Sequence, residues 1–415
     1  MRLSSFGERF SGYSGITHLM DDLNEGLLRP DVVMMGGGNP AVIPEAVGIF
    51  KDTLSSLLAS EELVSSLTNY DGPQGNDAFR EVLASFFQKH YGWAITRENI
   101  ALTHGSQSSF FNLFNSLAGP SKHGNKEVLI PLVPEYIGYS DVGIHQGLIC
   151  SNEAKITLTG SGMFKYQIDF DRLEVNRNTG LICVSRPTNP SGNVLTDDEC
   201  LQLDKIAGDN HIPLLIDNAY GTPFPNIIFK PVKPFWNENT IVCMSLSKLG
   251  LPGVRTGIII ANKDLIRYFT NLTAITSLAP GGIGPVIAKK LILNETLLPL
   301  CNDIILPFYK KQSRLAVELI RQSIDDPRLF IHEPEGSIFL WLWFDGLPIS
   351  SAELYERLKK KGLLVIPGRY FFPGQKEIST HADSCIRVNY VQPREELVRG
   401  IQILSKELVN CWGNL

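Results

Sequence analysis

Residues 241–257 read Ile-Val-Cys-Met-Ser-Leu-Ser-Lys-Leu-Gly-Leu-Pro-Gly-Val-Arg-Thr-Gly. The stretch begins with a near-continuous apolar run, Ile241–Leu246, which is typical of a strand that is covered on both faces of a sheet. Lys248 follows this run, and Arg255 comes seven residues after the lysine. The stretch therefore predicts a buried strand that presents hydroxyl groups, a lysine and an arginine at its carboxyl end.

Similar apolar runs recur along the middle of the chain and alternate with amphipathic stretches. The other runs are Val128–Leu132, Leu181–Val184, Pro213–Ile216 and Gly257–Ala261. Helix candidates between them include Gln107–Leu117 and Thr196–Ala207, and Thr196 and Glu199 in the second have the spacing of a capping box. This alternation predicts an α/β fold with a mostly parallel sheet between helices, which binds ligands beyond the carboxyl ends of its strands.

The length of 415 residues suggests two domains. After about Leu300 the pattern changes to long helices separated by short strands. The predicted helices are Pro307–Ile324, Ala352–Lys361 and Glu395–Val409, and the predicted strands are Ile338–Phe344, Leu364–Pro367 and Cys385–Val388. We expect a large domain over residues 51–300 and a small α+β domain over 301–415. Residues 1–50, in which no strand is obvious before about residue 40, would contribute to the small domain.

Composition and charge exclude several classes of protein. Hydrophobic residues make up 43% of the chain and charged residues 20%, which excludes wholesale disorder and fibrous repeats. A net charge of −5 gives no reason to expect nucleic acid or an anionic membrane as a partner. The N-terminal region has no apolar signal segment, and Ile338–Phe344, the most apolar stretch, is too short to cross a bilayer.

The cysteines indicate a reducing compartment. They are scattered, without a Cys-x-x-Cys pair, at Cys150, Cys183, Cys200, Cys243, Cys301, Cys385 and Cys411. An odd, scattered set in a long chain is typical of reduced thiols, and it predicts a cytoplasmic protein with no metal site.

Polar side chains follow each predicted strand. Asn189 comes after Leu181–Val184, and Asp217 and Tyr220 come after Pro213–Ile216. A lysine in a partly enclosed pocket can form a Schiff base with an aldehyde cofactor, and a carboxylate can keep a pyridine nitrogen protonated. Hydroxyl groups, an arginine and a helix N-terminus bind phosphate. Together these groups are the inventory of a pyridoxal-phosphate site.

On these motifs the sequence resembles the class I/II aminotransferases, fold type I pyridoxal-phosphate enzymes related to aspartate aminotransferase. The resemblance runs from Gly36-Gly-Gly-Asn-Pro40 to Cys385-Ile-Arg-Val-Asn-Tyr390. It implies a large, mostly parallel α/β/α sheet domain, a smaller α+β domain and pyridoxal 5′-phosphate as the cofactor. It also implies a cis peptide bond at Asn189-Pro190.

The same resemblance implies catalytic and ring-binding roles. Lys248 would form the Schiff base and move the substrate proton, while Asp217 would pair with the pyridinium nitrogen. Asn189 and Tyr220 would hydrogen-bond the phenolic oxygen of the ring. Tyr136 would stack on the face of the ring.

Other matching residues would bind the phosphate and the substrate. The phosphate cup would consist of Gly105, Ser106, Gln107, Ser245, Ser247 and Arg255. Tyr70 would reach the phosphate of the partner subunit, which implies a homodimer with shared active sites. Arg387 would bind the substrate α-carboxylate through both nitrogens of its fork, supported by Gly38 and Asn189. Ile16 would lie near the substrate side chain.

Three blocks of sequence, at 34–44, 134–139 and 185–193, look more specifically like the valine–pyruvate aminotransferases of bacteria. This resemblance implies a ping-pong exchange through a Schiff base on Lys248. L-valine and pyruvate would give 3-methyl-2-oxobutanoate and L-alanine, in alanine and branched-chain amino-acid biosynthesis. No second arginine can be placed for an acidic substrate, and Ile16 offers a small apolar surface instead.

Alternative interpretations stay open at this point. Lys248 could be a surface lysine, Asp217 a helix cap and Arg387 part of a surface ion pair, and His104 beside the phosphate loop is interpreted as structural. Within the fold, the alternatives are a broad-specificity alanine or aromatic aminotransferase and a pyridoxal-phosphate β-lyase. An aminotransferase-like transcription regulator would need a DNA-binding module ahead of Gly36, for which we expect no room.

Overall fold

The computed structural model describes residues 2–12, 21–22, 26, 29–122 and 124–413. The strands are β1 (Val33–Met34), β2 (Ile100–Thr103), β3 (Gly119–Ser121), β4 (Gly124–Val133), β5 (Ile149–Glu153), β6 (Lys155–Gly160), β7 (Met163–Gln167), β8 (Thr179–Ser185), β9 (Leu214–Asp217), β10 (Thr240–Ser245), β11 (Gly257–Ile260), β12 (Leu329–His332), β13 (Phe339–Phe344), β14 (Leu363–Leu364), β15 (Ile366–Pro367) and β16 (Cys385–Asn389). The α-helices are Ser5–Ser11, Pro44–Leu57, Glu61–Thr68, Asp77–Tyr91, Ser106–Leu117, Asp197–Asp209, Lys263–Thr276, Ile283–Leu293, Leu297–Pro299, Leu306–Ser323, Ser351–Lys360, Thr380–Asp383 and Arg394–Trp412, with a π-helical turn at Leu300–Ile305.

The larger sheet has the strand order β2-β11-β10-β9-β8-β4-β3, and β5 lies beside β4. Strands β10, β9, β8, β4 and β5 run parallel to their neighbours in that series. The run at 257–260 instead returns antiparallel beside β10, since only a short connection separates the two strands. The expected α/β fold with a mostly parallel sheet is confirmed.

Alternate residues of the parallel strands enter two different hydrophobic cores. Ile182, Leu214 and Val242 belong to one core, whereas Leu215 and Cys243 belong to the other. Successive side chains of a strand point to opposite faces, so both faces of the sheet are covered. This explains why the strands appear in the sequence as continuous apolar runs.

A second sheet has the order β15-β16-β13-β12-β7-β6. Its hairpin of β6 and β7 comes from the middle of the chain, and Met163 pairs with Ile331 near the C-terminal end. A two-stranded sheet joins β1 to β14, with Val33 opposite Leu363. The expectation of no strand in the first 40 residues is therefore wrong, because a strand of two residues is too short to show a period.

Most predicted helices are confirmed with ends shifted by one to three residues. The capping box at Thr196 and Glu199 is present, with the Thr196 hydroxyl accepting from the Glu199 amide at 3.1 Å. In the part of the chain that the structure describes, no single helix is long and apolar enough to span a membrane. Among the same described residues, one pair of helices bent by 98°, Ile283–Leu293 with Leu297–Ser323, passes that test jointly, by length and composition.

Candidate active site

A cavity of about 240 Å³ lies at the carboxyl ends of the parallel strands. Ser185, Asp217 and Cys243 stand opposite one another across β8, β9 and β10, so these strands end at one level. The predicted site residues that line the cavity are Gly38, Ser106, Gln107, Tyr136, Asn189, Asp217, Tyr220, Ser247, Lys248, Arg255 and Arg387. The fold thus brings together residues from both ends and the middle of the chain.

Lys248 follows β10 and is half-buried in this cavity. Its Nζ donates to the carbonyl oxygen of Gly38 at 2.6 Å and lies 5.5 Å from the centroid of the Tyr220 ring. Desolvation lowers the pKa of Lys248 to about 8; Arg387 acts in the same direction, and Asp217 opposes it. The amine is therefore much easier to deprotonate than an exposed lysine.

Asp217 is buried at the end of β9. Its Oδ2 accepts from the Tyr139 hydroxyl at 2.9 Å, and its Oδ1 accepts from the Ala219 amide at 3.0 Å. Burial raises the pKa of Asp217 to about 6, although the two hydrogen bonds and Lys248 favour the charged form. The carboxyl group is held in one orientation and faces the cavity.

Arg387 enters the site from β16, in the second sheet. Its Nη1 donates to Asn189 Oδ1 at 2.9 Å, and its Nη2 donates to the Gly36 carbonyl at 2.6 Å. The guanidinium carbon lies 4.0 Å from the centroid of the Phe339 ring. Burial lowers the pKa of Arg387 to about 10, and its buried Nε has no hydrogen-bond partner within the described chain. An unpartnered donor of this kind suits an anionic ligand.

The N-terminus of helix Ser106–Leu117 and Arg255 form the other end of the site. Gly105 precedes the helix with φ +96°, and a Cβ there would lie 2.5 Å from Arg255 Nη2, so a side chain at this position would collide with the arginine. Arg255 itself adopts the left-handed region, with φ 46°. The free amides of a helix N-terminus beside a guanidinium bind anions such as phosphate.

Two sequence expectations have other outcomes. Ser245 does not line the cavity; it is buried, and its Oγ accepts from the Ser247 amide at 3.2 Å. In the loop that carries Asn189, the cis peptide bond is at Arg186-Pro187 and not at Asn189-Pro190, since neighbouring X-Pro pairs cannot be told apart from sequence.

Two other expectations stay predictions. Tyr70, expected at the site of the partner subunit, is 84% exposed and lies outside the cavity lining of its own chain. Ile16 lies outside the described residues.

Sequence reasoning missed a buried polar group behind the cavity. Glu135 Oε1 accepts from the Ser185 amide at 2.8 Å, and its Oε2 lies 2.6 Å from Ser185 Oγ. Burial raises the pKa of Glu135 to about 8, and Asp217 adds to the rise. The only sequence signal was a glutamate after Pro134 at the end of an apolar run. The apolar lining by Ile137 and Ile366 was also missed.

The family model for aminotransferase class I and II matches residues 43–404. The chain belongs to the class I and II aminotransferases. It is 50% identical over 414 residues to the valine–pyruvate aminotransferase of Escherichia coli (strain K12), covering 100% of this chain and 99% of the relative. The cytoplasmic placement of this aminotransferase stays a prediction.

Two solved structures share the fold. A valine–pyruvate aminotransferase from Salmonella typhimurium LT2 has a TM-score of 0.90 at 48% identity and covers 97% of this chain and 100% of its own. A putative amino-acid aminotransferase from Psychrobacter arcticum 273-4 has a TM-score of 0.97 at 45% identity, over 100% of both chains. The aminotransferase therefore has the fold type I architecture.

Class I and II aminotransferases act on amino acids and 2-oxo acids and use pyridoxal phosphate. The residues present fit this cofactor. One end of the cavity offers an amine of lowered pKa, the floor offers a buried carboxyl, and the other end offers a helix N-terminus with an arginine. Gln107 Oε1 is buried without a hydrogen-bond partner in the described chain, which leaves a further polar atom for a ligand.

Proposed function

We propose that this aminotransferase exchanges the amino group between L-valine and pyruvate, giving 3-methyl-2-oxobutanoate and L-alanine, in a ping-pong reaction. The observation that carries the proposal is the 50% identity over the whole chain to the valine–pyruvate aminotransferase of Escherichia coli. The same reaction fits a role in alanine and branched-chain amino-acid biosynthesis.

Each end of the cavity has a proposed role in holding the cofactor. Lys248 would hold pyridoxal phosphate covalently, Asp217 would pair with its ring nitrogen, and Asn189 and Tyr220 would bind its phenolic oxygen. Tyr136 would cover the ring face. The phosphate would bind to Gly105, Ser106, Gln107, Ser247 and Arg255, and Ser245 would orient the Ser247 amide from outside the cavity lining. When bound, the cofactor serves as an electron sink for the negative charge that develops at the substrate α-carbon.

Lys248 is the proposed acid and base of the reaction. Because desolvation lowers its pKa to about 8, a useful fraction of the amine is unprotonated near neutral pH. Once the amino group of the substrate has displaced Lys248 from the cofactor, the freed Nζ can take the proton from the substrate α-carbon and later return a proton. The Gly38 carbonyl, 2.6 Å from Nζ, orients the amine within the cavity.

The charges in the cavity favour an aliphatic substrate. Among the described lining residues the cations are Lys248, Arg255 and Arg387. Arg255 lies at the helix end proposed for phosphate, and Arg387 is proposed for the α-carboxylate, so neither is left for a side-chain carboxylate. Ile137 and Ile366 add apolar surface. Alanine and valine differ by two methyl groups, so a pocket of this kind discriminates only modestly between them.

A panel of amino donors with pyruvate as the acceptor tests the substrate. We expect valine to convert the cofactor's aldehyde-form absorbance to the amine form, and pyruvate to restore it. Aspartate should react far more slowly. Faster reaction with phenylalanine would favour a broad-specificity aromatic aminotransferase, and release of ammonia and pyruvate from a cysteine conjugate would favour a β-lyase. Either result would contradict the valine–pyruvate proposal.

A homodimer with shared active sites is also proposed. Tyr70 is 84% exposed, and Val64 and Leu67 on the preceding helix are exposed apolar residues. An exposed apolar face is suited to a second copy of the chain, and Tyr70 of the partner subunit would then reach the phosphate.

Mixing two inactive variants tests this arrangement. In a heterodimer of Lys248→Ala and Tyr70→Ala subunits, a shared-site arrangement leaves one site with both residues intact. We expect activity to return on mixing and refolding the two variants, and the separately refolded variants serve as controls. No recovery, with dimers present by sedimentation, would contradict the shared site.

Two further proposals, the location of the protein and its division into domains, come from the sequence analysis. We propose a cytoplasmic location, supported by the fact that all seven cysteines are free thiols. The division into residues 1–50, 51–300 and 301–415 also stays a proposal. The turn at Leu300–Ile305 supports its second boundary, while the hairpin at 155–167 pairs with the C-terminal sheet.

A further inference from the structure

A path of hydroxyl groups connects Asp217 to a second buried carboxyl group. Tyr139 donates to Asp217 Oδ2 at 2.9 Å. The Tyr139 oxygen lies 3.3 Å from Ser185 Oγ, which lies 2.6 Å from Glu135 Oε2. Glu135 is 0% exposed, and Tyr139 is equally buried. Asp217 and Ser185 line the cavity, whereas Tyr139 and Glu135 are not among its lining residues. We call these four groups the Glu135–Asp217 path.

The number of protons along this path is limited. A hydroxyl group donates one hydrogen bond, and Tyr139 donates its proton to Asp217. Ser185 therefore has one proton for two neighbours, Tyr139 at 3.3 Å and Glu135 at 2.6 Å. An ionised Glu135 accepts that proton and leaves the contact between Tyr139 and Ser185 without one. A protonated Glu135 can instead donate to Ser185, and the serine can then donate to Tyr139, so that both contacts are hydrogen bonds.

We propose that Glu135 is a positioning residue that carries a proton in the folded enzyme and donates it to Ser185. The Ser185 and Tyr139 hydroxyls are thereby oriented toward Asp217. The single negative charge of the two carboxyl groups stays on Asp217, at the cavity floor.

Glu135 has no cationic partner in the part of the chain that the structure describes. Its remaining contacts are backbone amides: Ser185 N–H donates to Oε1 at 2.8 Å and Tyr136 N–H donates to Oε2 at 3.0 Å. Burial, with a smaller contribution from the charge on Asp217, raises the pKa of Glu135 to about 8, although these amides and the Ser185 hydroxyl act in the opposite direction. Burial raises the pKa of Asp217 only to about 6, because the Tyr139 hydroxyl, the Ala219 amide and Lys248 favour its charged form. Near pH 7 the proton therefore belongs on Glu135.

The consequence for catalysis rests on the proposed function. An ionised Asp217 is what a protonated ring nitrogen needs, and a neutral Glu135 avoids a second buried negative charge close to it. The protonation state of Glu135 can be measured without turnover. A failure of the Glu135 proposal is therefore distinguishable from a failure of the valine–pyruvate proposal.

Infrared spectroscopy of the full-length protein in D₂O at pH 7, with and without pyridoxal phosphate, tests whether Glu135 carries a proton. We expect a carbonyl-stretch band of a protonated carboxylic acid, above the amide I region, that disappears in Glu135→Gln. Glu335→Gln is the matched control, since Glu335 is a buried carboxylate paired with Lys165 and Lys230. It should leave the band in place. Absence of the band, or its survival in Glu135→Gln, would overturn the proposal.

Ser185→Ala keeps Glu135 and gives a second measurement if Glu135→Gln does not fold. We expect the carboxylic-acid band to remain and to move to higher frequency, because its O–H loses the acceptor. A band that does not move would show that Ser185 is not that acceptor and would overturn the path.

Cofactor affinity tests the positioning role. Glu135→Gln retains a donor toward Ser185, whereas Glu135→Met has a similar shape without one. By titration of the apo-protein with pyridoxal phosphate, we expect the Met variant to bind about tenfold more weakly than the Gln variant, the factor expected for one hydrogen bond in a buried network. Equal affinities would assign Glu135 a merely structural role and overturn the proposal.

Discussion

Glu135 and Glu335 are both fully buried glutamates, yet their surroundings differ. Glu335 Oε2 accepts from Lys165 Nζ at 2.5 Å and from the Val194 amide at 2.9 Å, and Lys230 contacts its Oε1. Burial alone would raise the pKa of Glu335, but the two lysines and the amide lower it. Glu135 has a hydroxyl group and amides as partners, and its pKa is raised to about 8.

The two glutamates therefore differ in role: Glu335 is a structural charge, whereas Glu135 changes its protonation state near neutral pH. The Glu335 cluster joins Lys165 in β7 of the second sheet, through an ion pair, to the segment after β8 of the larger sheet, through the Val194 amide, so it links the two sheets. A carboxyl group with cationic partners stays ionised, whereas one with neutral donors keeps or gives up a proton near neutral pH. Burial by itself therefore does not distinguish the two roles.

The largest expected effect lies in the cavity and concerns activity. Lys248→Ala should lower valine–pyruvate turnover by about 10²–10⁴-fold or more, since the proton-transferring amine is lost. The thermal stability of the cofactor-free protein should change little, because the desolvated amine has no ion-pair partner among the described residues and loses one hydrogen bond, to the Gly38 carbonyl. Lys205→Ala, at an exposed lysine paired with Asp209, is the control and should leave both quantities unchanged. Retained turnover in Lys248→Ala would remove the basis for treating the cavity as the active site.

The second effect concerns stability and the Glu335 cluster. Glu335→Ala leaves Lys165, a largely buried lysine, without its partner, so we expect the free energy of unfolding to fall by about 3–5 kcal/mol. Urea unfolding measures this change. Glu353→Ala breaks an exposed pair with Arg357 and should cost at most about 0.5 kcal/mol. Equal losses in the two variants would show that the Glu335 cluster is no stronger than a surface pair.

The third effect is a difference in pH dependence. Glu135 has a pKa of about 8 when folded, against an ordinary value of 4.5 when unfolded, so the native state binds more protons between these values. Its contribution to stability is full below about pH 4.5 and is lost as pH rises toward 8, by up to about 1.4 kcal/mol per pH unit. For Glu335 the pH dependence has the opposite sign: its contribution to stability is lost as pH falls through the lowered pKa.

Urea unfolding at several pH values between 5 and 8 measures that difference. We expect Glu135→Gln to become more stable relative to the unsubstituted enzyme as pH rises, whereas Glu335→Gln should show no such gain. Parallel stability curves for Glu135→Gln and the unsubstituted enzyme would contradict a raised pKa at Glu135.

The smallest effect concerns the second lysine of the cluster. The Lys230 side chain is 51% exposed, against 14% for Lys165. Lys230→Ala should therefore cost only about 0.2–1 kcal/mol of unfolding free energy, because solvent screens the pair. Lys165→Ala is the matched variant, and we expect it to cost several times more. A larger cost at Lys230 would show that the exposed lysine, and not the buried one, balances the carboxylate.

Much of the site could be predicted from the sequence, because the order and direction of the parallel strands bring the residues that follow them to one edge of the sheet. Asp217 and Lys248 each follow an apolar run, and parallel strands end at the same edge of their sheet. The structure brings both residues to one cavity, together with Asn189, Tyr220 and Arg387. The position of Ser245 relative to that cavity could not be predicted, since a motif does not say which way a side chain points.

The amino-acid sequence by itself determined the α/β architecture, the aminotransferase family and the residues at the strand ends. These depend on local patterns: apolar runs, caps and short motifs. Only the tertiary structure placed Glu135 beside Ser185, 50 residues away in the chain, and Arg387 beside Gly36. Such contacts join segments that are distant in sequence, and the protonation state of a buried carboxyl group depends on the partners that the fold supplies.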